Sequence, residues 1–229
     1  MEPVYIVQPT QPHSHTTILL HGKESTAAEF APEFFESQAS DGRTFPEIFP
    51  SIKWVFPQAK LRPSLRFETE DCSMWFDMWS VENPSERPEL QKAGLEESIA
   101  QILSVVREEA KTVGLEKIVL GGISQGCATA IKALLSSDLK LAGFVGVASW
   151  LPADEKVGDE GMLKTPVFLA HSQDDDVVLV RNGENVRDAL LGRGMTVTWK
   201  GYEDGGHWFH EPEGVDDIVE FLQKCFQLP

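Results

Sequence analysis

The sequence contains few cysteines, and they are not arranged for a structural role. Cys72, Cys127 and Cys225 are odd in number, lie far apart among 229 residues and form no C-x-x-C pair. A disulfide framework or a cysteine zinc site is therefore not expected. Thiols that stay reduced are typical of the cytoplasm, and we expect the protein to be located there.

Long apolar runs and clustered positive charge are also missing. No run is long enough to span a bilayer, and the N-terminus lacks the basic stretch and apolar core of a secretory signal. The 20 Lys and Arg residues stand against 36 Asp and Glu, a net charge of -16. Phosphate contacts need clustered basic side chains, so we expect no nucleic-acid partner and no charge-driven docking to anionic lipid. An integral membrane segment is likewise not expected.

What the sequence does contain is a series of short apolar runs separated by helical patterns. Strands are predicted at residues 4–7, 16–22, 52–57, 118–120, 141–150, 165–172 and 195–203. Helices are predicted from a capping box at Thr26 through Phe35, and at residues 88–114, 127–135, 183–194 and 214–226. The apolar patterns of the strands are nearly continuous instead of alternating, which is typical of a parallel sheet buried on both faces.

Alternating strands and helices predict a doubly wound α/β fold, with a mostly parallel central sheet and helices on both faces. The length fits a single domain, residues 1–229, with no separate lid domain. The segment 58–88, rich in Pro, Trp and charge, is predicted to be long and irregular and to lie on the substrate side.

The stretch from Gly122 to Gly126, Gly-Ile-Ser-Gln-Gly, lies where an apolar strand becomes a helix. It fits the G-x-S-x-G pattern, in which a tight turn holds a nucleophilic serine, here Ser124, in a strained position. Glycine and serine are also ordinary turn and capping residues, so the pattern alone does not establish a nucleophile. A serine nucleophile needs a histidine base and a carboxylate that orients the base.

Both partners occur downstream, each on the loop after a predicted strand. Asp174, Asp175 and Asp176 follow one apolar strand, and His207 follows two glycines after the last strand. Three adjacent acids are also compatible with a solvated loop or, as a weaker alternative, a cation site. Serine, acid and histidine in this sequence are the chain order of α/β-hydrolases, and they predict a catalytic triad.

The oxyanion formed during acyl transfer needs two N–H donors. The backbone N–H of Gln125, directly after the serine, is one candidate. The strand that ends at His21 and Gly22 leads to the second candidate, the backbone N–H of Lys23. The alternative explanation of His21 and Gly22 is a simple strand terminus.

Taken together, these segments resemble the acyl-protein thioesterase/phospholipase-carboxylesterase family of α/β-hydrolases. The matching segments are ILLHGKES, MWFDMWS, GGISQGCATA, AHSQDDDVV and YEDGGHWF. They span about residues 16 to 222, almost the whole chain, and their sequences are most similar to those of the fungal branch of the family.

The resemblance implies a triad of Ser124, Asp175 and His207. Asp175 is chosen from the three acids because it lies four residues after His171 and three before Val178, as in the family's loop. It also implies an α/β-hydrolase fold, hydrolysis of acyl esters or thioesters, including S-acyl groups on protein cysteines, and no metal or organic cofactor. We expect a monomer or weak homodimer.

The resemblance further implies that the N–H groups of Lys23 and Gln125 form the oxyanion hole. Trp75 and Phe76 match the family's Trp-(Phe/Tyr)-Asp segment and are expected to pack near the site, and Trp79 is a further candidate. These aromatic side chains either line an apolar groove for the acyl chain or form a satellite core beneath a long loop.

The sequence departs from the family at the first loop. The usual His-Gly-x-Gly-Asp is His21-Gly22-Lys23-Glu24-Ser25 here, a change that bears on the acyl pocket more than on the chemistry. Ser172 also replaces the glycine after the strand-end histidine. The alternatives within ester chemistry are a small-ester carboxylesterase and a lysophospholipase. A non-catalytic binding protein with the same fold is the alternative outside it.

Overall fold

Strands and helices alternate along the chain, which the computed structural model describes over residues 3–66, 69–152 and 160–228. Within those residues there are nine strands and six α-helices. The strands are β1 (Val4–Val7), β2 (His15–Leu20), β3 (Ile52–Pro57), β4 (Leu61–Ser64), β5 (Thr69–Ser73), β6 (Ile118–Ile123), β7 (Gly143–Val147), β8 (Val167–Ser172) and β9 (Val197–Tyr202). The helices are α1 (Ala27–Glu36), α2 (Phe45–Ile48), α3 (Gln91–Val113), α4 (Ser124–Leu135), α5 (Val180–Leu191) and α6 (Glu213–Phe226).

Seven of these strands form one sheet in the order β1-β3-β2-β6-β7-β8-β9. β1 is antiparallel to β3, and the other neighbours are parallel. All residues of β2, β6, β7 and β8 are buried, as their unbroken apolar patterns predict. The predicted α/β-hydrolase fold, with a mostly parallel central sheet in one domain, is confirmed.

Helices cover both faces of the sheet and divide the core in two. One cluster packs α3, α4 and α5 against one face, and the other packs α1 and α6 against the opposite face. Leu19 and Leu20 are consecutive in β2 and belong to different clusters, because successive strand side chains point to opposite faces. Both layers together fix the sheet whose carboxyl edge carries the loops described below.

The start of α1 shows how the local sequence fixes a helix end. The Thr26 hydroxyl accepts from the backbone N–H of Glu29 at 3.2 Å, and the Glu29 carboxylate accepts from the N–H of Thr26 at 3.0 Å. The predicted capping box is therefore present. It fixes where the chain turns from the carboxyl end of β2 into α1.

The segment 58–88 is less irregular than predicted. β4 and β5 pair antiparallel, and residues 67 and 68, which lie between them in the chain, are outside the described residues. The prediction missed the hairpin because its strands carry no apolar pattern: Leu61 is 67% exposed and is followed by Arg62 and Pro63. The short helix α2 was also not predicted, since four residues are too few to show a helical period.

The described helices include none that combines the length and apolar character needed to cross a bilayer.

Candidate active site

A sharp turn from β6 into α4 carries Ser124. Its φ is 54°, in the left-handed region that side chains avoid, and the residue is 8% exposed. A Cβ on Gly122 would lie 2.6 Å from the carbonyl oxygen of Leu20, and a Cβ on Gly126 would lie 2.3 Å from the same oxygen. The glycines are required because the end of β2 passes directly against the turn. This is the strained strand-to-helix position that the G-x-S-x-G pattern predicts.

A hydrogen bond joins Asp175 and His207. Nδ1 of His207 lies 2.8 Å from Oδ2 of Asp175, whose side chain is fully buried beyond the end of β8. The other oxygen, Oδ1, accepts from the backbone N–H groups of Val177 and Val178 at 3.0 and 2.8 Å. Because a carboxylate only accepts, Nδ1 of His207 is the donor, and Nε2 of the neutral ring is left free to accept a proton.

The environment of Asp175 keeps its carboxyl group ionised. Burial by itself would raise the pKa of Asp175, but the hydrogen bonds from His171 and His207 outweigh burial and hold the pKa well below its ordinary value. The neighbouring Asp174 and Asp176 are exposed. Of the three adjacent acids, Asp175 is thus the one that contacts the histidine, at the register that the family loop implies.

His171, at the end of β8, is a second imidazole in contact with the same carboxylate. Its Nε2 lies 2.7 Å from the carbonyl oxygen of Val178 and 3.1 Å from Oδ2 of Asp175, and the side chain is fully buried. A carbonyl oxygen only accepts, so Nε2 carries the proton and donates. His171 entered the sequence prediction only as a marker of register. A histidine that ends an apolar strand four residues before the acid was the available signal for this contact.

The loop that presents His207 is held by glycines and by the first of the three acids. Gly205 and Gly206 have φ values of 115° and 61°, which a side chain would oppose. The N–H of Gly206 donates to Oδ1 of Asp174 at 2.9 Å. Asp174 therefore ties the β8 loop to the His207 loop, a structural role that explains part of the acidic run.

His21 fixes the loop after β2. Its Nε2 accepts from the N–H of Ala59 at 3.1 Å, so Nδ1 is the nitrogen that donates to the carbonyl oxygen of Gly22 at 2.7 Å. Burial lowers the pKa of His21 to about 4, and the ring is neutral at physiological pH. A Cβ on Gly22 would lie 3.6 Å from Cβ of Ser124, so this loop, which continues into Lys23, borders the serine closely.

The side chain of Gln125 connects the turn to the segment at 75–76. Its carbonyl oxygen accepts from the N–H of Trp75 at 2.9 Å, and its amide nitrogen donates to the carbonyl oxygen of Phe76 at 2.8 Å. The indole Nε1 of Trp75 in turn donates to the carbonyl oxygen of His21 at 2.8 Å. Both candidate oxyanion loops are therefore braced by the same buried segment.

The three aromatic residues predicted to contact substrate do not line the cavity beside Ser124. Trp75 and Phe76 are 0% exposed and belong to the hydrophobic core. Trp79 is half-buried, with the guanidinium of Arg87 4.7 Å from its ring centre. Of the two alternatives for these side chains, an acyl groove or a core beneath a loop, the surroundings of Trp75 and Phe76 favour the core: the Gln125 amide and the His21 carbonyl hold them inward, beneath the site.

A cavity of about 290 Å³ opens at the carboxyl edge of the sheet and contains Ser124 and His207 in its wall. The cavity is lined by Gly22, Lys23, Glu24, Ser25, Phe30, Glu33, Val81, Ile123, Ser124, Val177, His207 and Trp208. Val81 comes from the segment 58–88, and Phe30 and Glu33 come from α1. No local pattern indicates that α1 lines the cavity, because the packing of this helix beside the site is decided by tertiary contacts.

A second serine and a buried thiol lie behind the turn that carries Ser124. The hydroxyl of Ser149 donates to the carbonyl oxygen of Ser124 at 2.8 Å. Burial raises the pKa of the Cys127 thiol to about 12, so it does not compete as a nucleophile. In the described parts of the chain, no group of three or more His, Cys, Asp or Glu side chains is placed to hold a metal ion.

Comparison with known proteins adds independent information. A family model described as phospholipase/carboxylesterase matches residues 1–226. Acyl-protein thioesterase 1 of Yarrowia lipolytica is 29% identical over 219 residues, covering 93% of this chain and 92% of the relative. Acyl-protein thioesterase 1 of Gibberella zeae is 29% identical over 226 residues, covering 95% of this chain and 92% of the relative.

Solved structures are similar over nearly the whole chain. The crystal structure of Zea mays acyl-protein thioesterase 2 superimposes with a TM-score of 0.78 at 26% identity, covering 99% of this chain and 100% of the other. The carboxylesterase of Bacillus cereus superimposes with a TM-score of 0.72 at 17% identity, covering 98% of this chain and 95% of the other, a likeness of fold alone.

Proposed function

Because the chain belongs to the phospholipase/carboxylesterase family, we propose that it hydrolyses carboxylic esters or thioesters of acyl groups through a Ser124–His207–Asp175 triad and a covalent acyl-enzyme. The observation that carries the proposal is the 2.8 Å hydrogen bond between Asp175 and His207 in a loop that lines the same cavity as Ser124. Such a set of nucleophile, base and orienting acid is the requirement for serine acyl transfer.

The first half-reaction uses the free nitrogen of His207. Oγ of Ser124 attacks the acyl carbonyl carbon while Nε2 of His207 takes the hydroxyl proton, and buried Asp175 stabilises the imidazolium that forms. The carbonyl oxygen becomes an oxyanion, and we assign the backbone N–H groups of Lys23 and Gln125 as its donors. The proximity of Gly22 to Ser124 supports this assignment, because it brings the loop after β2 beside the nucleophile.

The second half-reaction reverses the roles. The tetrahedral intermediate collapses, the carbon–sulfur or carbon–oxygen bond breaks, and His207 gives its proton to the departing thiol or alcohol. Water then attacks the acyl-serine ester with His207 as base, which releases the carboxylic acid and restores Ser124. Every proton passes through one imidazole, so the step sequence needs no cofactor.

We infer an acyl-protein thioesterase-like preference from the names of the relatives in two fungi. A small-ester carboxylesterase is the second candidate, and the cavity favours it. About 290 Å³ is at the lower end for ligand pockets, and neither Trp75 nor Phe76 extends it as a groove. A lysophospholipase would need the same chemistry on an oxyester. The segment 58–88 borders the substrate through Val81.

The free thiols of Cys72, Cys127 and Cys225 support a reducing, cytoplasmic location, and we propose a monomer or weak homodimer as the working form.

The decisive experiment is a panel of acyl oxyesters and thioesters from two to sixteen carbons. We expect kcat/KM to rise with chain length as long as the cavity accommodates added carbons, because burial of each CH₂ contributes about 0.8 kcal/mol. A maximum at acetyl, with a steady fall for longer chains, identifies a small-ester carboxylesterase. The ratio of thioester to oxyester turnover at matched chain length separates the thioesterase from the lysophospholipase.

Ser124→Ala is the test of the chemistry, with Ser104→Ala as its matched control. Ser104 is an exposed position on α3, so its loss should leave turnover unchanged. Ser124→Ala should lower kcat on the order of 10³-fold or more and abolish labelling by a fluorophosphonate. Absence of turnover and labelling in the unaltered protein, across the whole panel, would favour the non-catalytic binding protein instead.

A further inference from the structure

The lining of the catalytic cavity combines two kinds of side chain. Val81, Val177 and Ile123 provide aliphatic lining, whereas α1 and the loop after β9 contribute Phe30, Glu33 and Trp208. The second group combines two aromatic rings with one carboxylate. Aromatic faces and carboxylates together attract organic cations, through the ring quadrupole and through charge.

The aromatic part of this wall is held in a fixed geometry. The rings of Phe30 and Trp208 meet edge to face, with centroids 5.9 Å apart at 82°. Behind them, the rings of Phe34, Phe56 and Phe209 pack on Phe30 with centroids 5.8 to 6.4 Å away. Phe30 is 1% exposed, so Trp208, which is half-buried, offers a ligand most of the aromatic surface and Phe30 supports it from behind. A rigid aromatic wall loses little conformational entropy when a ligand binds.

The carboxylate of this wall is not neutralised by a neighbour. Glu33 lies one turn after Phe30 on α1, on the same side of the helix, and is exposed. Across residues 3–66, 69–152 and 160–228, no ion pair or side-chain hydrogen bond engages its carboxylate. The ammonium group of Lys23, the cation of the cavity lining, is paired with Glu24. The lining therefore carries one uncompensated negative charge, at Glu33.

The position of His207 indicates which part of a substrate contacts this wall. In the proposed mechanism His207 delivers its proton to the leaving thiol or alcohol, so the leaving group must point toward the imidazole. Trp208 is the next residue and lines the same cavity. Through Trp208, the wall of Phe30, Glu33 and Trp208 therefore adjoins the imidazole side of the cavity, where the leaving group departs.

We propose that Phe30, Glu33 and Trp208 form a subsite for a cationic group on the leaving-group side of the substrate. The inference rests on the proposed hydrolase function and specifies its substrate class. Two sources supply such a cation: a quaternary ammonium, as in a choline headgroup, and a Lys or Arg side chain next to an acylated cysteine. The net charge of -16 raises the local concentration of either one.

Two matched substrate pairs test the subsite. The first pair is butyrylcholine and its neutral carbon isostere, 3,3-dimethylbutyl butyrate. The second pair is an S-acyl cysteine peptide flanked by Lys and the same peptide flanked by Gln. The measured quantity is the ratio of kcat/KM, cationic over neutral, at low ionic strength. We expect a ratio of about 10 for the pair that carries the cation for which the subsite is built. A desolvated cation over a Trp ring is stabilised by about this factor.

Glu33→Gln should reduce this ratio toward one, and Trp208→Phe should reduce it in part because Phe has the weaker quadrupole. Glu36→Gln is the matched control: the residue is exposed on α1, does not line the cavity and changes the net charge equally. It should leave the ratio unchanged. Use of a ratio removes any general effect of a variant on turnover.

A ratio near one for both pairs in the unaltered protein would overturn the subsite. Equal losses in Glu33→Gln and Glu36→Gln would also overturn it, since the preference would then come from the overall field. The neutral substrates report hydrolysis alone. Failure of the hydrolase proposal appears as loss of every rate, and failure of the subsite appears as equal rates.

Discussion

At the scale of single residues, three adjacent acids have three different surroundings. Asp174 is exposed and accepts from the N–H of Gly206, Asp175 is buried against His207 and His171, and Asp176 is exposed. Charge repulsion alone would disfavour such a run. The buried carboxylate is stabilised by four hydrogen bonds, two of them from backbone N–H groups, which offset its desolvation.

Asp175→Asn should lower kcat on the order of 10³- to 10⁴-fold. The asparagine amide can donate to Nδ1 of His207 and so stabilise the tautomer whose Nε2 carries a proton and cannot act as base. Asp174→Asn keeps an oxygen for the N–H of Gly206 and should cost a few-fold, and Asp176→Asn should have no effect. Steady-state kinetics of the three variants checks this order. Equal losses in all three would mean that another acid orients His207.

At the scale of secondary-structure elements, the turn between β6 and α4 depends on the close approach of β2. All twelve residues of α4 are buried, and its first turn lies against the end of β2. The small residues at the start of α4 permit this approach, and the positive end of the helix dipole faces the serine. The geometry at Ser124 is thus set by three elements together.

Gly126→Ala should destabilise the protein by at least about 1–3 kcal/mol and remove most activity. The new Cβ would lie 2.3 Å from the carbonyl oxygen of Leu20 and 2.4 Å from that of His21, and backbone in a central strand cannot yield. Gly201→Ala in β9 is the control, since its Cβ would find its nearest neighbour at an ordinary 3.6 Å. Thermal unfolding and ester turnover of both variants are the measurements. Wild-type stability and turnover in Gly126→Ala would show that the turn can move away from β2 and accommodate the added methyl group.

At the scale of the whole molecule, stability should depend on pH through buried His21, which joins β2, the segment after β3 and Trp75. Its pKa is about 4 in the folded protein and near 6.5 in an unfolded chain. Below pH 6.5 the unfolded chain binds the proton more readily, so the free energy of unfolding falls as the pH is lowered. Between pH 6.5 and 4 the loss from this group amounts to roughly 3 kcal/mol.

His21→Asn should remove this contribution, because asparagine does not titrate. Urea unfolding at several pH values from 7 to 4 should give a steeper decline for the unaltered protein than for the variant. The other titrating groups are common to both proteins, and the difference isolates His21. Parallel curves would show that the pKa of His21 in the folded protein is close to its ordinary value.

Much of the fold follows from local sequence. The inner strands β6, β7 and β8 are almost entirely apolar, and the helices between strands carry caps or amphipathic patterns, so element type and fold class were both predictable. The hairpin of β4 and β5 was not predictable. Its residues, such as Leu61 and Arg62, do not show the alternation of apolar and polar side chains that a half-buried strand would have. Its pairing is a contact between strands, and a one-dimensional pattern does not encode it.

The chain positions of Ser124, the acidic run and His207 follow from the sequence, because turn glycines and strand ends are local features. The set of side chains that reach the cavity depends on tertiary packing. Trp75 and Phe76, chosen because they match the family's Trp-(Phe/Tyr)-Asp segment, are held inward by Gln125 and His21. Phe30, Glu33 and Trp208 line the cavity instead and come from a helix and a loop that pack together. Burial and hydrogen-bond partners come from residues distant in the chain. They are therefore determined only when the helices pack against the sheet.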